Sequence, residues 1–112
     1  MLTKMWIAGK PVSSFSGRAF PVVNPADGKV LAQVAEGGVT DVDLAVKTAV
    51  AAAAGPWGKM SPRERARKLF AVARIVRERL EEFALIETRN TGKPLADSRD
   101  EANVVADCFE FY

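Results

Sequence analysis

ETRNTGKP, residues 87–94, is the stretch that decides how this chain folds. Its first half continues a helical pattern, and Gly92 stands where helices commonly end in the left-handed region. Pro94 has a fixed φ and no amide hydrogen, so it cannot continue a helix. The stretch therefore predicts the last turn of a helix, a glycine stop and a proline that prevents a restart.

A second informative stretch, FPVVNPADGKV, occupies residues 20–30. Asn24-Pro25 and Asp27-Gly28 favour tight turns, because Asn and Asp side chains bond nearby backbone and glycine accepts a positive φ. The β-branched residues on either side predict strands at 20–23 and 30–35.

The rest of the chain divides into a β region and a helical region. Within residues 1–38 we also expect a short hairpin at 5–12, around Gly9-Lys10. Residues 39–112 show helical periodicity. The predicted fold class is mixed α and β, a small antiparallel β portion followed by three to four helices.

Capping signals place these helices. Thr40 is the predicted N-cap of the first, Ser61-Pro62 with Glu64 forms a capping box at the second, and the last begins near Asp97. A break is expected at residues 79–82. The apolar positions expected on the first helix are Val42, Ala45, Val46, Ala49, Val50 and Ala53, and those on the last are Val104, Val105, Cys108, Phe109 and Tyr112.

Composition excludes several classes of protein. The 112 residues suit one domain, and 48% hydrophobic with 27% charged residues is typical of globular proteins. The absence of histidine excludes a His-based triad within this chain, and one cysteine excludes an internal disulfide. With no signal-peptide pattern and no apolar run of membrane length, we expect a cytoplasmic location and no membrane partner.

The charge is unevenly distributed. Residues 61–80 carry seven basic and two acidic groups, whereas residues 81–112 carry three basic and eight acidic groups. A basic helix is one signal for nucleic-acid binding. The acidic segment that follows and the lack of interleaved aromatic residues favour a solvated helix face, and we expect no nucleic-acid partner.

Several stretches, in this order and spacing, resemble the N-terminal region of the NAD(P)-dependent aldehyde dehydrogenase family. They are Asn24-Pro25 with Gly28, VAEG (34–37), DVDLAV (41–46), Trp57 with PRER (62–65), and ETRNTGKP. The resemblance implies the N-terminal part of an aldehyde dehydrogenase-like, Rossmann-type α/β fold.

The family oxidises an aldehyde to a carboxylic acid with NAD or NADP. A cysteine thiolate attacks the carbonyl, the adduct passes hydride to the nicotinamide, and a glutamate activates water. In the family the nucleophile, the base and the cofactor motif lie downstream of the position of Tyr112. The resemblance therefore assigns no catalytic and no cofactor-binding residue here, and implies a structural segment, inactive alone, of a longer enzyme.

Cys108 is not expected to be that nucleophile, because it has no lysine or arginine within one helical turn to stabilise a thiolate. The family places the last helix beside the path by which the aldehyde reaches the nucleophile. Val104 and Cys108 are then candidates for the wall of this substrate tunnel, and ordinary core packing is the alternative.

Many family members also bind a structural K⁺ or Na⁺ near the Asn-Pro turn. The matching positions are the carbonyls of Val22 and Val23 and the side chain of Asn90, where the family usually has an aspartate. An amide oxygen still ligates hard cations but lacks the formal charge. The alternative is that Asn90 only helps to end its helix.

The last helix ends on an apolar stripe, for which the resemblance implies a cover in the rest of the parent enzyme. Without that cover we expect self-association through this helix. The alternative function is a free-standing helical module for self-association or interaction, without catalysis.

Overall fold

A computed structural model describes residues 2–112. Within them lie five strands and five helices. The strands are β1 (Leu2–Thr3), β2 (Met5–Ile7), β3 (Lys10–Val12), β4 (Ala19–Val23) and β5 (Val30–Ala35). The helices are α1 (Val39–Ala54), α2 (Pro56–Lys59), α3 (Pro62–Glu78), α4 (Leu80–Thr91) and α5 (Leu95–Phe111). Four helices are long, as predicted, and α2 is one additional short turn.

The chain forms two compact units. The first comprises the residues up to Val23 together with Lys29–Lys59, and the second comprises Asn24–Gly28 together with Met60–Tyr112. The first unit therefore holds all five strands with α1 and α2, and the second holds α3, α4 and α5.

The first unit contains a three-stranded sheet in the order β1-β5-β4. The predicted antiparallel pairing of β4 with β5 is confirmed, and it contains a register shift between Val22 and Val23. β1 was not predicted; it pairs with β5 in parallel and makes the sheet mixed. β4 is an outer strand and has a neighbour on one side only. Such a strand accommodates Pro21, because proline has no amide hydrogen to donate to a second neighbour.

A second, two-stranded sheet in the same unit is the predicted hairpin, in which β2 pairs with β3 antiparallel. Its two turn residues, Ala8 and Gly9, have φ values of 56° and 73°. Two positive φ values in succession are typical of the tight hairpin turn whose twist matches the strands.

The first helix begins two residues earlier than predicted, and Thr40 is not its cap. Gly38 is the N-cap, and its amide donates to Oδ2 of Asp41 at 2.9 Å. The amide of Phe15 donates to Oδ1 of the same carboxylate, also at 2.9 Å. The carboxylate of Asp41 therefore binds the N-cap amide with one oxygen and joins the loop at Phe15 to the helix start with the other.

The predicted apolar positions of α1 are present but not buried within this chain. Val42, Val46 and Val50 are 58%, 56% and 66% exposed. The helix ends at Ala54, before Gly55-Pro56, as expected. The valines of the stripe are therefore exposed, whereas Ala45, beside β2, is half-buried.

The second unit confirms the capping box and the break. The amide of Glu64 donates to the Ser61 hydroxyl at 3.3 Å, and the Ser61 amide donates to Oε2 of Glu64 at 2.8 Å. Arg79 separates α3 from α4 with φ −112° and ψ 22°. Its side chain is ion-paired with Glu82 at 2.6 Å.

The glycine stop is confirmed and the role given to the proline is wrong. Gly92 has φ 80°, and its amide donates to the carbonyl of Thr88 at 2.8 Å. Pro94 is the N-cap residue of α5, so a new helix begins at Leu95 rather than near Asp97. A proline at the start of a helix loses nothing, because the first amides have no partner within the helix.

The core of the second unit consists of small side chains. Ala73 and Val76 of α3 form a buried cluster with Ala106 of α5. Ser98 and Ala102 extend the buried face of α5 at four-residue intervals. Small residues at this spacing let helices approach closely, and they bury little apolar area.

Candidate functional site

The outward face of α5 carries both residues that the sequence analysis placed on the substrate path. Successive residues of an α-helix are about 100° apart, so Val104 lies about 200° from both Ala102 and Ala106, and Cys108 lies about 200° from Ala106. Ala102 and Ala106 are buried against the unit, whereas Val104 is 57% exposed and Cys108 is exposed. Val104 and Cys108 therefore share a face that points away from α3 and α4.

Hydrogen bonds and ion pairs fix α5 against α4 at its N-terminal end. The hydroxyls of Thr88 and Ser98 are hydrogen-bonded at 2.8 Å, and Ser98 is fully buried. The ammonium of Lys93 pairs with Glu101 and lies 3.1 Å from Oε1 of Glu87. The bonds to Glu101, and then to Glu87, raise the pKa of Lys93 above its ordinary value.

A further pair joins the same two helices. Nε of Arg99 lies 2.7 Å from Oε1 of Glu81, and Nη2 lies 3.0 Å from Oε2 of Glu81. This two-point contact lowers the pKa of the Glu81 carboxyl, with its hydrogen bonds to Arg99 as the main cause. Such bidentate pairs fix the direction of both side chains as well as their distance.

The C-terminal end of α5 is tied to α3. Nη2 of Arg77 lies 2.7 Å from Oδ1 of Asp107 and 3.0 Å from Oε2 of Glu110. Polar contacts at both ends of α5 thus flank the buried seam of small residues. Together they fix which face of the helix is turned outward.

An open apolar groove of about 330 Å³ lies between these helices. Val76, Phe83, Ile86 and Val105 form its walls, and Ser98 lies in its lining. Glu87, Glu101 and Ala102 complete the lining, and the hydroxyl of Ser98 is hydrogen-bonded to that of Thr88, so no free nucleophile faces the groove.

The part of the chain that the structure describes brings together no nucleophile with a base. Cys108 is exposed, and its neighbours on the helix are the carboxylates that bind Arg77. Among residues 2–112, no group of three or more His, Cys, Asp or Glu side chains could hold a metal ion.

Gly37 and Gly38 join β5 to α1. Glycine-containing turns between a strand and a helix can bind phosphate groups. The carboxylate of Asp41 already occupies the helix start, where it binds the amide of Gly38 and is 6% exposed. A pyrophosphate placed there would meet a buried negative charge. This junction does not fit a dinucleotide cofactor.

The residues of the predicted cation site lie in different units. Val22 is half-buried and Val23 is 43% exposed, on either side of the register shift at the end of β4. Asn90 is exposed in the last turn of α4. The cation site stays a prediction.

Three residues with structural roles were missed by the sequence analysis. Asp41 was counted only as part of a family stretch, although an acidic residue three positions after Gly38 is a capping signal. Ser98 was missed because buried serines have no sequence signature. Arg77 was counted only as part of the basic segment, and its partners lie on another helix.

Comparison with known proteins defines the class. Residues 12–112 match the model of the aldehyde dehydrogenase family, and the chain belongs to that family. The predicted family and fold class are confirmed. The family is one of oxidoreductases, so the free-standing interaction module is not favoured.

Individual relatives agree with this assignment. The chain is 52% identical over 91 residues to the 2-hydroxymuconic semialdehyde dehydrogenase of Pseudomonas sp. (strain CF600). The aligned part is 81% of this chain and 19% of the relative. It is 43% identical over 112 residues to aldehyde dehydrogenase family 2 member B4, mitochondrial, of Arabidopsis thaliana. The aligned part is 98% of this chain and 21% of that relative. The chain spans about a fifth of the length of these relatives.

Solved structures give the same result for the fold. A putative aldehyde dehydrogenase from Burkholderia cenocepacia superposes with a TM-score of 0.96 at 43% identity, over 98% of this chain and 23% of that one. The NAD⁺ complex of an aldehyde dehydrogenase from Bacillus cereus superposes with a TM-score of 0.96 at 36% identity. The match covers 100% of this chain and 23% of that one. Among the described residues no helix is long and apolar enough to cross a membrane.

Proposed function

We propose that this chain is the N-terminal part of an NAD(P)-dependent aldehyde dehydrogenase that oxidises an aldehyde to a carboxylic acid. Within that enzyme its role is structural. The observation that carries the proposal is the family match over residues 12–112, together with the absence of a plausible nucleophile in the described chain. A nicotinamide cofactor would supply the hydride acceptor in the parent enzyme, and residues outside this chain would hold it.

In the proposed enzyme, α5 presents its outward face to the aldehyde path. Val104 and Cys108 then form part of the tunnel wall, where an apolar side chain and a thiol exclude water. The support is their exposure on the face opposite the buried seam. The ion pairs and hydrogen bonds at both ends of α5 would hold this wall in place.

The test is a chimaera in which this chain replaces the matching segment of the Pseudomonas semialdehyde dehydrogenase. We expect the chimaera to oxidise that enzyme's aldehyde with reduction of the nicotinamide, and Cys108→Ala to retain turnover. The 112-residue chain alone should give no aldehyde-dependent reduction. Turnover by the chain alone, abolished by Cys108→Ala, would contradict the proposal.

We further propose a K⁺ or Na⁺ site at the carbonyls of Val22 and Val23 and the side chain of Asn90. The neutral amide supports only weak binding. Thermal melts in sodium, potassium and a bulky organic cation, at equal ionic strength, should differ little. A large stabilisation by one alkali ion that Asn90→Ala removes would show a strong site instead.

An oligomeric parent and a cytoplasmic location complete the proposal. The exposed apolar face of α1 supports assembly, and a single cysteine suits a reducing compartment. Sedimentation of the chimaera tests the first, and fractionation of cells that express the parent enzyme tests the second. A monomeric chimaera would exclude the oligomer, and recovery outside the cytoplasm would exclude the location.

A further inference from the structure

The C-terminal end of α5 carries negative charge where a helix tolerates it least. Asp107 and Glu110 lie in its last two turns, and the last turn contains no basic residue. The C-terminus of a helix already bears the negative end of the macrodipole, so carboxylates near it are destabilising. Residues three apart also lie on one face, where like charges repel.

Arg77 of α3 supplies the missing positive charge. One nitrogen, Nη2, donates to both carboxylates, at 2.7 Å and 3.0 Å. The side chain of Arg77 is 38% exposed, the lowest exposure in this set of three. It follows Val76 directly, and Val76 packs in the buried cluster with Ala106 of α5. The guanidinium is thus anchored beside the seam that joins the two helices.

We propose that Arg77 is a positioning residue that keeps the last two turns of α5 helical, and so fixes the direction in which Cys108 points. Without Arg77 two unpaired carboxylates would remain on one face at the negative end of a helix. The turns that carry residues 107–111 would then fray. The relevance to the aldehyde path rests on the proposed function, but the helix stabilisation does not.

Arg74 is a matched control on the same helix. Its Nη1 lies 2.7 Å from Oε1 of Glu78, one turn further along α3. Replacing it with glutamine removes an ion pair with the same shortest distance and the same charge change, without touching α5.

The experiment is amide hydrogen exchange of the 112-residue chain, read on residues 104–111. Arg77→Gln should accelerate exchange there by roughly fivefold, the combined effect of a lost ion pair and an uncompensated helix end. Arg77→Lys, which keeps the charge, should restore most of the protection. Arg74→Gln should leave residues 104–111 unchanged. Equal effects of Arg77→Gln and Arg74→Gln would overturn the proposal.

If Arg77→Gln disturbs the whole second unit, variants that neutralise Asp107 and Glu110 still test the proposal. In the background Asp107→Asn with Glu110→Gln there is no charge for Arg77 to compensate. Arg77→Gln should therefore have little further effect, and the double background should itself be well protected. An undiminished effect in that background would show that Arg77 acts through packing alone.

A kinetic measurement separates this inference from the proposed function. In the active chimaera, Arg77→Gln should raise KM for the aldehyde about severalfold with a smaller change in kcat, because the wall is displaced rather than the reacting groups. Faster exchange with an unchanged KM would overturn the link to substrate and leave the proposed function standing. An inactive parent chimaera would contradict the proposed function while the exchange result stands.

Discussion

At the scale of single residues, Gly92 has the clearest steric requirement. Its φ is 80°, and a Cβ at this position would lie 2.8 Å from Cγ of Pro25. Both constraints, the positive φ and the close contact with Pro25, apply to the glycine that was predicted to end α4. The contact also brings the Asn-Pro turn against the end of that helix.

Gly92→Ala should lower the free energy of unfolding by about 1–3 kcal/mol, because alanine must adopt a left-handed φ and displace Pro25. Urea denaturation measures this. Gly17→Ala is the control, since Gly17 has φ 69° with no heavy atom within 4 Å of the added Cβ. If both substitutions cost the same, the contact with Pro25 contributes nothing.

The capping box of α3 allows a second residue-scale prediction. The hydrogen bonds from the side chain and then the backbone of Ser61 lower the pKa of Glu64 below its ordinary value near 4.5. A carboxyl with a lowered pKa in the folded chain stabilises that chain while ionised. Its contribution is complete above the ordinary pKa and disappears as the pH falls through the folded value.

Urea midpoints should therefore decrease between about pH 5 and pH 3, and part of this slope should vanish in Glu64→Gln, which cannot titrate. Ser61→Ala should cost about 1 kcal/mol at neutral pH through loss of the cap. A Glu64→Gln variant with the parent's full pH dependence would assign the slope to other carboxyls, such as Glu81 and Glu82.

At the scale of elements, the sequence predicted those features that one residue type specifies locally. Proline, glycine and β-branched residues placed β4, β5, the capping box and the stop at Gly92. Pro94 was misjudged because the same property, a missing amide hydrogen, forbids a helix interior and suits a helix start. Parallel pairing of β1 depends on long-range contact, which local patterns do not contain.

The buried face of α5, formed by Ser98, Ala102 and Ala106, was not predicted, and the reason is physical. Hydrophobicity ranks Val104 and Phe109 above Ala102 and Ser98, so a stripe of large residues was expected. Close approach of α3 and α4 to α5 instead selects small side chains. Apolar periodicity therefore did not show which face of α5 is covered inside this chain, although the large apolar residues were expected to lack their cover here, and Val104 and Cys108 are exposed.

Ala106→Leu should destabilise the second unit by about 1–3 kcal/mol, because Ala106 has 0% exposure in the seam and a larger side chain would separate the helices. Ala96→Leu, the same change at an exposed position of α5, is the control. Circular dichroism during thermal unfolding distinguishes the two. A tolerated Ala106→Leu would mean that the seam is loosely packed.

At the scale of the whole molecule, apolar surface outweighs core. Among the described residues 23 large hydrophobic side chains are exposed, whereas seven hydrophobic residues are buried and five of those are alanines. Phe111 and Tyr112 are 83% and 85% exposed at the end of α5. Burial of such side chains contributes about 25 cal/mol per Å², so contact between copies would offset the small cores.

We therefore expect the isolated chain to associate, most simply as a two-fold dimer through α5. Sedimentation equilibrium over a wide concentration range should show the mass rising with concentration. Phe111→Ser combined with Tyr112→Ser should weaken association, whereas Phe15→Ser, at an exposed position of the first unit, should not. A monomer at every concentration, with a melt that does not depend on concentration, would show that the exposed faces do not drive assembly.

The position of Pro21 limits what form such association can take. β4 is an outer strand of its sheet, and an outer strand is where a foreign chain can add by backbone pairing and start a cross-β stack. Proline cannot provide the donor that each added strand would need at that point. Concentrated preparations of this chain should therefore form helix-mediated oligomers that dissociate on dilution, rather than amyloid fibrils seeded at β4.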